Sequence, residues 1–151
     1  MLSQRIDYIN AAPGGLKALG TVHSYVAQCG LPPHLIDLVY LRVSLINGCA
    51  YCIDLHSRDL LKKGLKAEKL ALVPVWHEAG NLFDAQEQAA LAWSETVTRV
   101  AETQVPDDAY QAAAAAFSEK ELSDLTIAIS LMNAFNRLAI SFRKTPEAAK
   151  V

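Results

Sequence analysis

The sequence predicts an all-α protein, and three features support this fold class. Proline and glycine residues divide the 151-residue chain into segments of helical length. No convincing run of residues alternates between apolar and polar in the way a half-buried β-strand does. Helix-capping signals also occur where segments begin, the clearest being the capping box Ser118-Glu119-Lys120-Glu121.

The first half of the chain is predicted to form four helices. The turn-forming stretch 11–15 precedes the first helix, and the breakers in residues 30–33 separate it from the second. Asn47-Gly48 interrupts the chain before the third helix, and Gly64 ends that helix as a C-terminal cap. The predicted ranges run to about Cys29 for the first helix, then His34 to Ile46, Cys49 to Lys63, and about Ala67 to Leu72.

The second half is predicted to form three more helices, each with its own starting signal. Asp84 and Glu87 stand at the spacing of a capping box, and Pro106 stands at the start of the next segment. The predicted ranges are Asp84 to about Ala101, Val105 to about Phe117, and Ser118 to about Arg143.

The last of these helices is apolar on more than one face. One row consists of Leu125, Ile129 and Met132, and a second consists of Ile127, Leu131, Ala134 and Leu138. A helix that is apolar nearly all round is buried nearly all round. In a chain of this size, in which 52% of residues are apolar, another subunit is the expected second cover. We therefore predict one domain spanning residues 1–151 that forms a homo-oligomer.

Charge and hydropathy argue against several classes of function. The net charge is −2 and no basic cluster is present, which disfavours nucleic-acid binding because phosphate contacts need concentrated Lys and Arg. The N-terminus lacks the apolar core of a signal peptide, and no stretch reaches the ~18 apolar residues of a membrane span. These features predict a cytoplasmic protein without a nucleic-acid or membrane partner. In the cytoplasm a close cysteine pair is more often catalytic or metal-binding than structural.

The segment from Asn47 to His56, NGCAYCIDLH, carries the clearest chemical signal. If a helix opens at Cys49, a rotation of about 100° per residue places Cys49, Cys52 and His56 within a wedge of roughly 60°. The N–H groups of a first helical turn favour a thiolate there. His56 lies one turn after Cys52 and is placed to take the proton of its thiol. Cys49, Cys52 and His56 are therefore candidate catalytic residues.

From the residues alone, other interpretations stay open. The two cysteines could be small core residues, and His56 could be an ordinary surface or core histidine. A structural zinc site needs four ligands, whereas this segment offers one cysteine pair, His56 and at most an aspartate, Asp37 or Asp54. The third cysteine, Cys29, is expected to be a passive packed thiol.

Asp37 is a fourth candidate, because it lies among apolar residues one predicted helix before the thiols. A carboxylate there could orient His56, although a solvated helix acid is the commoner fate of aspartate. Tyr51 lies between the thiols and is expected to pack beside them. Core packing is the expected role of Trp76, Phe83 and Trp93.

A longer stretch, DLVYLRVSLINGCAYCIDLHSRD from Asp37 to Asp59, is matched by AALAW at 89–93, VPD at 105–107 and the segment 125–139. Together they resemble the alkylhydroperoxidase D-like branch of the carboxymuconolactone decarboxylase superfamily. The resemblance covers most of the chain, and its thiol segment is the most specific part. It implies an all-helical fold built around a helical hairpin, with the cysteine pair at the N-terminus of a core helix, and assembly into trimers or hexamers.

The resemblance also implies a chemistry. The family's peroxidatic cysteine corresponds to Cys52, its resolving cysteine to Cys49, and its proton-relay histidine to His56. Its relay glutamate corresponds to Asp37, which is one methylene shorter, and Tyr51 replaces a histidine often found between the cysteines. The implied activity is reduction of a small-molecule hydroperoxide by an external dithiol, and it requires no flavin, haem or metal.

Two other functions remain beside this leading hypothesis of a thiol-dependent peroxidase. Lactone decarboxylation, the other activity of the superfamily, does not depend on the cysteine pair, so the intact pair argues against it. A non-enzymatic redox-responsive oligomer, or stress adaptor, would form the same disulfide. It would then change its assembly or its partner without turning over peroxide.

Overall fold

A computed structural model describes residues 3–150, and these residues form α-helices and short 3-10 segments without a β-strand. The predicted all-α fold class is therefore confirmed. Three residues of the predicted domain lie outside the described residues: Met1, Leu2 and Val151. The first two also belong to the N-terminal stretch that was examined for a signal peptide. Within the described part of the chain, no helix is both long and apolar enough to cross a membrane.

All seven predicted helices are present in the structure, with shifts at their ends. The α-helices are α1 (Tyr8–Ala11), α2 (Pro13–Ala27), α3 (Pro33–Asn47), α4 (Ala50–Lys62), α5 (Ala67–Leu72), α6 (Ala85–Thr98), α7 (Val100–Thr103), α8 (Asp107–Ala116) and α9 (Glu119–Ser141). Short 3-10 segments cover Val73–Glu78, Gly80–Leu82 and Glu147–Ala149. The short helices α1 and α7 were not predicted.

The helix predicted from Asp84 to about Ala101 is shorter than expected, because α6 ends at Thr98. Arg99 leaves helical geometry at φ −96° and ψ 35°, and α7 follows as a separate turn. The residues around this break include the β-branched Val97, Thr98 and Val100, whose side chains lose rotamer freedom in a helix. The local sequence therefore favours an interruption where the general pattern predicted continuation.

Both predicted capping boxes form. The Asp84 carboxylate accepts the Glu87 N–H, and the Glu87 carboxylate accepts the Asp84 N–H, each at 2.8 Å. Ser118 and Glu121 make the same reciprocal pair at the start of α9. These caps satisfy backbone donors that the first helical turn leaves without partners.

Helix α3 forms the centre of the molecule, and its residues 35–44 are all buried. It packs against α4, α6 and α9. One apolar cluster joins α3 to α6, α8 and α9, and a second joins α3 to α4 and the segment 73–83. Trp76, Phe83 and Trp93 are buried, as predicted. Pairing of α3 with α4 gives the helical hairpin that the resemblance implied.

Helix α9 is only partly covered by the rest of residues 3–150. Its buried residues include Leu125, Ile129 and Met132, the first predicted row. In the second row Leu131 is also buried, whereas Ile127 is 39% exposed. The apolar surface that was predicted to need a second cover therefore borders solvent in the single chain.

Candidate active site

The turn between α3 and α4 positions the cysteine pair. Gly48 ends α3 in the left-handed region at φ 69°, a conformation that costs glycine little. The next N–H, that of Cys49, donates to the Ser44 carbonyl at 3.0 Å. Cys49 is the N-cap of α4 and not its first helical residue, so the helix opens one position later than predicted. Its sulfur accepts the Cys52 N–H at 3.3 Å.

A buried amide network holds this turn against α9. Asn47 donates to the side-chain oxygens of Asn133 and Asn136 at 2.9 and 3.0 Å. Asn136 in turn donates to the Ser44 hydroxyl at 3.1 Å, and both of these residues are fully buried. Sequence reasoning assigned no role to these asparagines, although amides at 133 and 136 of an apolar helix were a signal of buried hydrogen bonding.

The two thiols of the motif are joined in a disulfide, with Cα atoms 5.3 Å apart. Both cysteines are buried. Cys52, however, lines a cavity of about 350 Å³, whereas Cys49 is not part of its wall. Cys29 is a free thiol, partly buried against the main core, as predicted. The cavity therefore approaches the pair from the side of Cys52.

His56 lies on the same cavity wall, one helical turn after Cys52. It is buried, and burial lowers the pKa of its imidazole from 6.5 to about 4. The carboxylates of Asp59 and Asp37 act against this lowering, whereas His23 and Lys63 add to it. The imidazole is therefore neutral at pH 7.

Asp37 is buried and not solvated, so the commoner fate proposed for it from sequence is wrong. Its Oδ2 atom accepts a hydrogen bond from the Lys63 Nζ atom at 2.5 Å. No direct hydrogen bond to His56 is found among residues 3–150, and Asp37 acts on the imidazole through its charge. Lys63, just beyond the end of α4, was not predicted to contribute to the site.

Tyr40 and His23 also surround His56, and sequence reasoning missed both. The Tyr40 ring lies 5.3 Å from the His56 ring and 6.1 Å from the His23 ring. Burial raises the pKa of the Tyr40 phenol. Its hydroxyl has no hydrogen-bond partner in the described part of the chain. Tyr40 follows Asp37 by three positions, a spacing that places both on one face of α3.

The remaining cavity wall is mostly apolar and aromatic. It includes Leu55, Met132 and Phe135, together with Tyr51 beside the thiols as predicted. The Lys144 ammonium lies 4.2 Å from the centre of the Tyr51 ring. Within residues 3–150, no cluster of three or more His, Cys, Asp or Glu residues is arranged to hold a metal ion. The arrangement brings together a disulfide-linked cysteine pair, a buried imidazole and a largely apolar cavity.

Comparison with known proteins identifies the family. The model of the carboxymuconolactone decarboxylase family matches residues 13–96, a range that includes Asp37, both motif cysteines and His56. The chain belongs to the carboxymuconolactone decarboxylase family. Within this family, its relatives and structural neighbours assign it to the AhpD-like branch, which confirms the resemblance found in the sequence.

Three similar proteins illustrate this placement within the family. YdfG of Bacillus subtilis, an uncharacterised protein, is 33% identical over 140 residues, which are 93% of this chain and 95% of YdfG. The alkyl hydroperoxide reductase AhpD of Koribacter versatilis is 41% identical over 68 residues, 42% of this chain and 35% of that protein. The solved structure of ATU0492 from Agrobacterium tumefaciens has a TM-score of 0.91 and 40% identity, covering 95% of this chain and 98% of that one. ATU0492 is a protein of unknown function for which an antioxidant role as an AhpD has been suggested.

Proposed function

We propose that this protein is a thiol-dependent peroxidase that reduces organic hydroperoxides to alcohols at Cys52. The observation that carries the proposal is that Cys52, disulfide-linked to Cys49, shares a largely apolar cavity with the neutral imidazole of His56. A thiolate is the nucleophile in such chemistry, and a base one turn away generates it. The apolar walls favour a hydroperoxide that carries an organic group.

The first step oxidises Cys52. His56 accepts the proton of the Cys52 thiol, and the thiolate attacks the terminal oxygen of the hydroperoxide. The O–O bond breaks, and the sulfur gains OH and becomes a sulfenic acid. The alkoxide that leaves takes the proton back from His56 and departs as the alcohol.

The second step forms the disulfide. The Cys49 sulfur attacks the sulfenic sulfur of Cys52, an S–S bond forms, and the OH group leaves as water with the proton of Cys49. The Cα separation of 5.3 Å lies within the range that a disulfide spans. Both oxidising equivalents of the peroxide are then stored in the cysteine pair.

An external dithiol closes the cycle by thiol–disulfide exchange. One of its thiolates attacks Cys52, the sulfur that the cavity reaches, and Cys49 leaves as a thiolate. The Cys52 N–H donates to the Cys49 sulfur at the start of α4, so the helix N-terminus stabilises the leaving anion. The second thiol of the reductant then releases Cys52, the reductant becomes a disulfide, and its two protons restore both thiols.

Asp37 enters the proposal through its charge. A negative charge near His56 stabilises the imidazolium formed in the first step, and Lys63 opposes it while holding the Asp37 carboxylate in place. We expect Asp37→Asn to lower the pKa of His56 further and Lys63→Met to raise it, as followed by NMR titration of the imidazole. If the Asp37–Lys63 pair had a purely structural role, the pKa of His56 would shift in the same direction in both variants or would not change.

The direct test is consumption of cumene hydroperoxide with dithiothreitol as reductant. We expect turnover by the natural protein and by Cys29→Ser, the matched control, and none by Cys52→Ser. Without dithiothreitol, the pre-reduced Cys49→Ser variant should consume one equivalent of the hydroperoxide and leave a sulfenic acid on Cys52 that dimedone labels. Full activity of Cys52→Ser, or labelling confined to Cys49 in the natural protein, would refute the assignment. If peroxide forms the disulfide and changes the mass of the assembly without turnover, the redox-responsive oligomer is favoured instead.

We also propose that the chain forms a homo-oligomer, a trimer or a hexamer. A depression of about 830 Å³ lies along α2 and α9 and is lined by apolar residues that include Leu19, Val22 and Ile127. An apolar surface of this kind is typical of an interface between subunits. Light scattering should give a multiple of the chain mass, and Ile127→Glu should reduce it. A monomeric mass for the unaltered protein would contradict the proposal.

A further inference from the structure

Lys144 brings a positive charge to a largely apolar cavity. Among the described residues that line the 350 Å³ cavity, it is the one lysine, and no arginine, aspartate or glutamate accompanies it. The nearby walls are apolar or aromatic side chains such as Tyr8 and Leu55. A single fixed charge in an apolar site is a means of orienting a ligand.

The backbone after α9 fixes the position of this lysine. Arg143 adopts the left-handed conformation at φ 54°, and the Lys144 N–H donates to the Ala139 carbonyl at 2.9 Å. The chain therefore turns back towards the cavity. The Lys144 ammonium lies 4.2 Å from the ring centre of Tyr51 and 5.6 Å from that of Tyr8, and aromatic faces attract a cation at such distances.

The Lys144 ammonium also lacks an anionic partner among residues 3–150. Within residues 3–150, each ion pair involves other residues, so no carboxylate lies within 4.0 Å of the Lys144 ammonium. Its side chain is only partly exposed. A partly desolvated ammonium without a counter-charge favours an anion that enters the cavity, because a charge-assisted hydrogen bond is stronger there than in water.

The size of the cavity limits the ligand. A volume of about 350 Å³ lies at the lower end of the range for small-molecule sites and therefore favours a compact ligand. Tyr51, whose ring contacts the Lys144 ammonium, directly precedes Cys52 in the sequence. A ligand held at Lys144 is therefore kept in the same chamber as the reactive sulfur.

We infer that Lys144 forms a carboxylate-binding subsite, and that the preferred substrate is an organic hydroperoxide with a compact apolar body and a carboxylate. This inference rests on the peroxidase function proposed above. The ammonium binds the carboxylate, the apolar walls bind the body, and the hydroperoxide group faces Cys52. Lys144 is a specificity-determining residue in this arrangement and takes no part in the exchange of protons or electrons.

The test compares cumene hydroperoxide with its para-carboxylate derivative, using uncharged dithiothreitol so that the reductant cannot contribute the anion. We expect the natural protein to show a KM about tenfold lower, or more, for the carboxylate, the lower end of what a hydrogen bond to a charged group contributes. Lys144→Met should lose this preference, so that its KM values for the two peroxides become equal, and Lys144→Arg should retain it. Lys66→Met, which removes an exposed lysine outside the cavity, is the control for net charge.

A second measurement does not depend on turnover. Calorimetry follows binding of the corresponding alcohol carboxylate, the reaction product, to the oxidised protein, and we expect Lys144→Met to weaken it about tenfold. Reduction of both peroxides with equal efficiency by the natural protein overturns the subsite and leaves the peroxidase function standing. Binding that depends on Lys144 without reduction of either peroxide supports the subsite and refutes the peroxidase function. An equal loss of activity towards both peroxides in Lys144→Met overturns the subsite, because it indicates general damage to the protein.

Discussion

Burial of neutral His56 makes the stability of the folded protein depend on pH. The pKa of His56 is lowered from 6.5 to about 4 in the folded state. Between these two values the unfolded chain binds a proton at His56 that the folded chain does not, so the free energy of unfolding falls as the pH falls. At 1.36 kcal/mol for each pKa unit, the loss attributable to His56 reaches about 3 kcal/mol by pH 4.

His56→Gln removes the titrating group and keeps a side chain of similar size. Urea unfolding of the oxidised protein at several pH values between 7.5 and 4 measures the effect, because other titrating groups are common to both proteins and cancel in the difference. Relative to the natural protein, we expect the free energy of unfolding of the variant to increase by about 1.4 kcal/mol for each pH unit below 6.5. His34→Gln, at an exposed position in the first turn of α3, should follow the natural protein throughout. Parallel curves for the natural protein and His56→Gln would refute the buried neutral imidazole.

Three further substitutions test the scaffold of the site by urea unfolding of the oxidised protein. Gly48→Ala should cost about 1 kcal/mol, because an added Cβ meets open space and only the left-handed backbone is strained; a neutral result would contradict the left-handed turn. Asn136→Ala should cost about 2 kcal/mol or more, because Asn47 and the buried Ser44 hydroxyl each lose a partner; a change below 0.5 kcal/mol would argue against the network. Ser118→Ala should cost about 1 kcal/mol through loss of the capping box, and Ser118→Asp should restore most of it.

The helices were predictable because their signals are local. Pro33, Gly48 and Ser118 act within a few residues of their own positions, and the corresponding helix ends agree with the structure to within about one residue. The end of α6 was not predicted, because no proline or glycine marks it and the weaker preference of β-branched residues decides. Helix α1 was missed because it spans only four residues.

The site was predictable to the extent that it lies within the first two turns at the start of α4. Cys49, Cys52 and His56 follow one another along α4, so spacing alone brought them together. Tyr40 and His23 come from other helices, and Lys144 comes from beyond the end of α9. Only the packing of α3 and α9 against α4, and of α2 against α9, brings Tyr40 beside His56 and places His23 and Lys144 at the cavity. No local pattern encodes that arrangement.

At position 37 the chain carries an aspartate, where the family resemblance implies a relay glutamate. From the sequence, the shorter side chain weakened the expected link between Asp37 and His56. In the structure, Asp37 pairs with Lys63 and influences the imidazole at a distance, together with Asp59. Burial pulls the pKa of His56 down, and these two carboxylates limit the fall. The acidity of His56 is therefore a balance of burial against surrounding charge, and it needs no direct hydrogen bond from residue 37.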